Sequence, residues 1–259
     1  MTPPVTIPHT HLHPLRSEHV DADFELWIAE PRRLWAGTPV GPRGALYVTD
    51  ANLFFGTAVE MTRIMNQLFG ELPPLLVVGI AYPTDDPRIS AELRNRDFTP
   101  SEERGFEEIA GAMQPDREPV LPEGERMGGA DAFLDFLVKE VRPLVEERHD
   151  VAPGRSVLFG SSLGGLFTVY ALLSRPRAFD HYIAVSPALW WDDEVLFDLG
   201  AELSDGADDV SARVFLGVGG LEEDDRLPFL ARFKAVTNVR AMGERLRSRG
   251  YPSLTVEQR

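Results

Sequence analysis

Short apolar runs alternate along this chain with longer stretches in which apolar residues return every third or fourth position, the rhythm of strands interleaved with helices. Residues 24–29, Phe-Glu-Leu-Trp-Ile-Ala, read as a strand, and residues 45–49 and 75–80 as buried strands, the latter apolar on both faces. Between these two, a helical pattern runs over 57–69 through Val59, Ile64, Met65 and Leu68. Residues 130–147 put Phe133, Leu137, Val141, Leu144 and Val145 on one helix face, with Pro143 expected to kink it. A strand over 156–159, a helix over 163–173, strands over 182–185 and 213–218, a helix over 236–249 and a last strand starting at Leu254 complete the pattern. Strands alternating with helices imply a mostly parallel sheet covered on both faces. No repeat or linker interrupts it, so one domain over 1–259 is expected.

One stretch breaks the rhythm. Residues 82–128 carry Pro83, Pro87, Pro100, Pro115, Pro119 and Pro122 among many charges, and only 102–113 reads as helical. A loop this long in a compact domain is usually a lid or binding loop. It leaves the C-terminal end of a central strand, the edge where open α/β sheets bind ligands. Arg94 and Arg96 could meet an anionic substrate group there, although pairing with Asp97 and Glu102 accounts for them as well. A second Pro- and Gly-rich link spans 31–44.

The richest chemistry lies at the junction of the 156–159 strand and the 163–173 helix. Gly160, Ser162 and Gly164 fill the pattern G-x-S-x-G, the nucleophile elbow, in which a strained turn exposes the serine Oγ at the top of the sheet. The bland reading is a tight turn with a surface serine; a strand before it and a helix after it favour the nucleophile. The glycines are expected because a Cβ would collide with the neighbouring strand or helix.

Composition narrows the rest. A formal net charge of −15 argues against nucleic acid or an anionic membrane as partner. With no cysteine there is no disulfide, thiol nucleophile or Cys-ligated metal. His9, His11, His13 and His19 crowd the first twenty residues, yet no partner is fixed by their spacing, so an exposed edge strand is expected rather than a metal site. The N-terminus shows no basic start or apolar core of a signal peptide, and no run approaches ~20 apolar residues; a cytoplasmic protein is expected.

In the order this elbow implies, an acid and then a histidine follow the serine. The acid is expected after the 213–218 strand, with Glu222 the first choice and Asp224 the second. The Leu163 N–H and one from Asn52 or a neighbour would form the oxyanion hole. Trp190 and Trp191, read as exposed at a strand end, either wall a substrate pocket or pack as core. The six histidines are His9, His11, His13, His19, His149 and His181. None follows Glu222, and none is well placed to take the Ser162 proton.

Five segments, 46–52, 96–100, 158–165, 186–191 and 218–222, together resemble the Putative esterase family of the α/β-hydrolase superfamily, which holds esterase D-like and enterobactin esterase-like enzymes. The resemblance implies an α/β-hydrolase fold with antiparallel N-terminal strands and hydrolysis of small-molecule carboxylic esters through an acyl-serine, without metal or organic cofactor. It places the nucleophile at Ser162, an acid at Glu222, an oxyanion donor at Asn52, and the histidine in a loop beyond Arg259. Fraying is therefore expected near Arg259. The alternatives are an acyltransferase on the same fold and a binding protein that lacks the base.

Overall fold

A computed structural model describes residues 5–31, 43–113, 119, 121–122, 124–204 and 209–259. Most of the 31–44 link and the Pro115 stretch lie outside the described residues. The strands are β1 (Thr10–Ser17), β2 (Ala22–Ala29), β3 (Arg43–Val48), β4 (Leu75–Ala81), β5 (Val151–Ser161), β6 (His181–Val185), β7 (Ala212–Gly217) and β8 (Leu254–Gln258). They form one sheet in the order β1-β2-β4-β3-β5-β6-β7-β8. β1 and β2 pair antiparallel, β2 joins β4 antiparallel, and every later pairing is parallel. This is the expected α/β-hydrolase arrangement, with the histidine-bearing β1 on the edge.

Side-chain alternation sorts the core onto the two faces of the sheet. Ala45 and Tyr47 of β3, with Leu76, Val78 and Ile80 of β4, belong to one cluster. Leu46 and Val48, with Val77 and Ala81, belong to the other. The second cluster is closed by helix α1 (Ala51–Gln67) through Ala51, Phe55 and Val59. The first takes helices α4 (Ala130–Phe136), α5 (Arg142–Arg148), α6 (Leu163–Ser174) and α9 (Ala235–Ser248). On the α1 face, towards β8, the described residues leave a groove of about 620 Å³ lined by Leu46, Val157, Ile183 and Phe215.

Three departures from the sequence pattern have physical causes. Residues 82–128 hold α3 (Phe106–Met113) as expected, but also a full helix, α2 (Pro87–Phe98). Asp86 caps it by accepting the Arg88 N–H at 2.9 Å, and Pro87 sits in the first turn, where its missing N–H costs nothing. The kink expected at Pro143 takes the form of π turns over Leu137–Val141 between α4 and α5. A wider turn ahead of the ring relieves its clash with the carbonyl four residues back. Finally, Arg259 does not fray from the sheet: its N–H donates to Leu216 O at 3.0 Å and its carbonyl accepts the Val218 N–H at 3.1 Å, so the inner strand β7 holds it.

Candidate active site

The elbow follows from the packing of α6 against β5. Residues Leu163–Leu173 of α6 are all buried, so the helix runs through the core and its first turn presses on the strand that precedes it. Ser162 bridges the two at φ 57°, ψ −118°, an uncommon conformation for a residue with a Cβ. Its N–H donates to Val185 O at 3.0 Å, and its carbonyl accepts from Leu166 and Ala188. The side chain is left exposed at the helix N-terminus. The glycines are steric: a Cβ on Gly160 would lie 2.0 Å from Gly164 O, and one on Gly165 2.9 Å from Pro187 Cα.

Ser162 opens into a cavity of about 300 Å³ beyond the C-terminal ends of β5, β6 and β7. Leu163, Ser186, Trp190, Trp191 and Glu222 also line it, with Phe106 and Ile109 of α3 on one side and Leu230 and Phe233 on the other. The last two belong to helix α8 (Pro228–Ala231) and its exit. The tryptophans are not both exposed. Trp191 is fully buried and its Nε1 donates to Ser101 O at 3.1 Å, beneath Phe106 at 5.3 Å between centroids. Trp190 is half-buried and stacks on Phe233 at 4.4 Å. Asp192, Asp193 and Glu194, all at positive φ, then turn the chain into helix α7 (Trp191–Ser204).

Of the acidic run after β7, Glu222 alone lines the cavity. Its Oε1 accepts Ser186 Oγ at 2.6 Å and the Gly219 N–H at 2.8 Å. Asp224 is committed to its own turn, accepting the Arg226 N–H at 2.9 Å and its guanidinium at 2.8 Å. Ser186 was not singled out from the sequence. Its position directly after the 182–185 strand, at the sheet edge where open α/β folds bind ligands, is the signal that could have found it; the structure adds a positive φ of 44°.

Of the two uses the sequence left open for the arginines, the structure has ion pairing. Arg96 is not among the residues lining the cavity: its Nε and Nη2 donate to Asp97 at 2.6 and 3.0 Å. Asp97 is fully buried, and burial pushes its carboxyl above the ordinary range despite bonds from Arg96 and Tyr82. Arg96 thus supplies the counter-charge for a buried carboxylate, without which that charge would be strongly destabilising. Arg94 does reach the cavity, but Asp50 grips its Nε and Nη2 at 2.8 and 2.9 Å. Burial draws the Arg94 guanidinium down in pKa, and Asp50 more than offsets this, so its charge is kept.

Asn52, at the start of α1, is not among the lining residues either. Its side chain ties α1 to the end of β4, donating to Tyr82 O at 3.0 Å and Thr84 O at 3.2 Å and accepting the Tyr82 N–H at 2.9 Å. Asn52→Ala would leave these groups short of partners. It is expected to lower stability by about 2 kcal/mol in urea unfolding; an unchanged midpoint would show that water replaces the side chain.

None of the six histidines lines the cavity. His149 Nδ1 lies 2.9 Å from Glu30 Oε1, His19 Nδ1 2.6 Å from Glu140 Oε1, and His181 starts β6 at the opposite end of the strands. Among the described residues, no group of three or more His, Asp or Glu side chains could hold a metal ion, and no helix is long and apolar enough to cross a membrane.

A family model described as Putative esterase matches residues 98–253. A ferri-bacillibactin esterase of Bacillus subtilis is 35% identical over 195 residues, 72% of this chain and 61% of that protein. A siderophore enterobactin esterase of Emericella nidulans is 35% identical over 165 residues, 63% of this chain and 52% of that protein. The solved structure of siderophore hydrolase EstB from Aspergillus nidulans superposes with a TM-score of 0.78 at 26% identity, covering 99% of this chain and 90% of that one. The matches span about half to three-fifths of the length of these curated relatives.

Proposed function

The chain belongs to the Putative esterase family, and from that premise we propose that it is a single-domain serine esterase acting on siderophore-type carboxylic esters, with Ser162 as nucleophile. One observation carries this reading: an exposed serine at φ 57° on the N-terminus of a buried helix, facing an aromatic cavity shared with Glu222. The Ser162 oxygen adds to the ester carbonyl, the alcohol leaves, and water releases the acid from the acyl-serine. The Leu163 N–H, at the positive end of α6, with an N–H from the segment around Asn52, stabilises the oxyanion. Glu222, fixed through Oε1 by Ser186 and Gly219, presents a carboxylate that would orient a base placed beside Ser162. Siderophore-type substrates are supported by the names of the relatives and by a cavity walled with Trp190, Trp191, Phe106 and Phe233. The flat aromatic faces suit bulky acyl groups.

Serine attack requires a proton acceptor within about 3 Å of Oγ. All six histidines of these 259 residues lie away from the cavity, and a second reading of these residues is that they hold the ester without cleaving it. Fluorophosphonate labelling, read by intact mass and peptide mapping, separates the two. An adduct on Ser162 is expected under the esterase reading, alone or with a small base added. A folded chain that takes no label under either condition would leave the binding reading standing.

A further inference from the structure

Beside the cavity lies a cation that forms no ion pair among the described residues. Arg232, exposed just after α8, lies with its Cζ 4.6 Å from the ring centroid of Phe229 and 4.7 Å from that of Phe233. Phe233 in turn stacks on Trp190, and both rings line the cavity beside Ser162. Two aromatic faces therefore hold a guanidinium at the edge of the site. Three of the four carboxylates in the acidic run after β7 are committed elsewhere, Glu222 to Ser186 and Gly219, Glu223 to Thr237 and Asp224 to Arg226, and the fourth, Asp225, is exposed. No ion pair of Arg232 occurs among the described residues. The other arginine at the cavity, Arg94, is bound on two nitrogens by Asp50.

We propose that Arg232, braced on Phe229 and Phe233, is a specificity-determining residue that admits anionic siderophore substrates, of the ferric tris-catecholate kind, to the Ser162 cavity. The inference rests on the siderophore-esterase reading and deepens it. A ferric tris-catecholate is a multiply charged anion, whereas a ferric tris-hydroxamate of similar size is neutral. The chain's net charge of −15 opposes any anion. At physiological salt, charges more than about 8 Å away are largely screened, so a cation at the rim outweighs the distant field. The aromatic pair also limits the guanidinium's freedom before the ligand arrives, which lowers the entropy lost on binding.

The test is equilibrium dialysis of the 259-residue chain against each ferric complex, read by iron content, for wild type, R232Q and R232K. R232Q is expected to weaken tris-catecholate binding roughly five-fold, the upper end for an exposed charge pair, with an effect that shrinks as salt rises. The tris-hydroxamate should be held as by wild type, and R232K should recover part of the loss. Equal losses for both complexes would make Arg232 part of the wall and overturn the proposal, as would no loss for either. Wild type that binds neither complex would also overturn it. With Ser162→Ala added to all three chains the dialysis reads binding without turnover, so that failure is distinct from failure of the esterase reading, which the Ser162 label on the unaltered chain reports.

Discussion

Added imidazole is expected to speed acylation of Ser162 by an activated aryl ester about a hundred-fold, the low end of what a positioned general base contributes. The elbow is formed, the Leu163 N–H stands at the helix terminus, and Glu222 is fixed at the cavity, yet His149 and His19 are held by Glu30 and Glu140 away from it. A cavity of about 300 Å³ leaves room for a small base beside an ester. Only neutral imidazole accepts a proton, so the rate should rise with pH and level off above roughly 7, close to the ring's own pKa. Ser162→Ala should remove the acyl adduct altogether. Acylation equally fast with and without imidazole would mean that a base among the existing side chains reaches Oγ. An imidazole effect that survives in the alanine variant would mean that the reaction never passed through the elbow.

Gly160→Ala should be the most damaging one-carbon change in the chain. Its Cβ would stand 2.0 Å from Gly164 O and 2.7 Å from Thr168 Oγ1, and the first of these is helix backbone. That oxygen also accepts the Thr168 hydroxyl at 2.8 Å, so the first turn of α6 cannot yield without losing a buried hydrogen bond. Overpacking typically costs about 1–3 kcal/mol where side chains adjust, and backbone against backbone lies at or beyond the upper end. We expect a loss of about 3 kcal/mol or more in urea unfolding, with Ser162 labelling lost even in the folded fraction, because the displaced turn carries the serine with it. The contrast is Gly164→Ala, whose Cβ would meet Thr49 Oγ1 at 2.6 Å, a buried side chain rather than backbone; turning it aside would break its hydrogen bond to Phe159 O, yet this should cost less than displacing the helix turn. A Gly160→Ala protein as stable and as reactive as wild type would show that the elbow does not depend on this contact.

The two effects bear on different properties of one turn. Imidazole probes whether the serine is competent once a base is near. The alanine at Gly160 probes whether the turn that exposes the serine is the one the packing imposes. Arg232 and its rings concern neither, since they lie at the mouth and bear on which esters arrive.

What the sequence determined by itself is whatever depends on local rhythm. Paired parities in β3 and β4 marked strands buried on both faces, and G-x-S-x-G between a strand and a helix located Ser162, because only glycine fits where α6 presses on β5. The place of Glu222 followed from strand order, and it reaches the cavity as that order requires. What only the tertiary structure decided is whatever depends on partners distant in sequence. Helix α2 went unread because its charges break the apolar period, and those charges are satisfied from outside the helix or locally: Arg94 by Asp50, Glu92 by the Leu121 N–H, Arg96 by the adjacent Asp97. For the same reason the sequence left open whether Arg96 meets substrate or pairs with Asp97, and the structure has the pair. Trp191 looked exposed until Ser101 and Phe106 were found above it, 90 and 85 positions earlier in the chain. A period records which side of an element faces the core; it holds no record of the remote group that neutralises a charge or covers a ring, and the arginines and aromatics of this cavity depend on that.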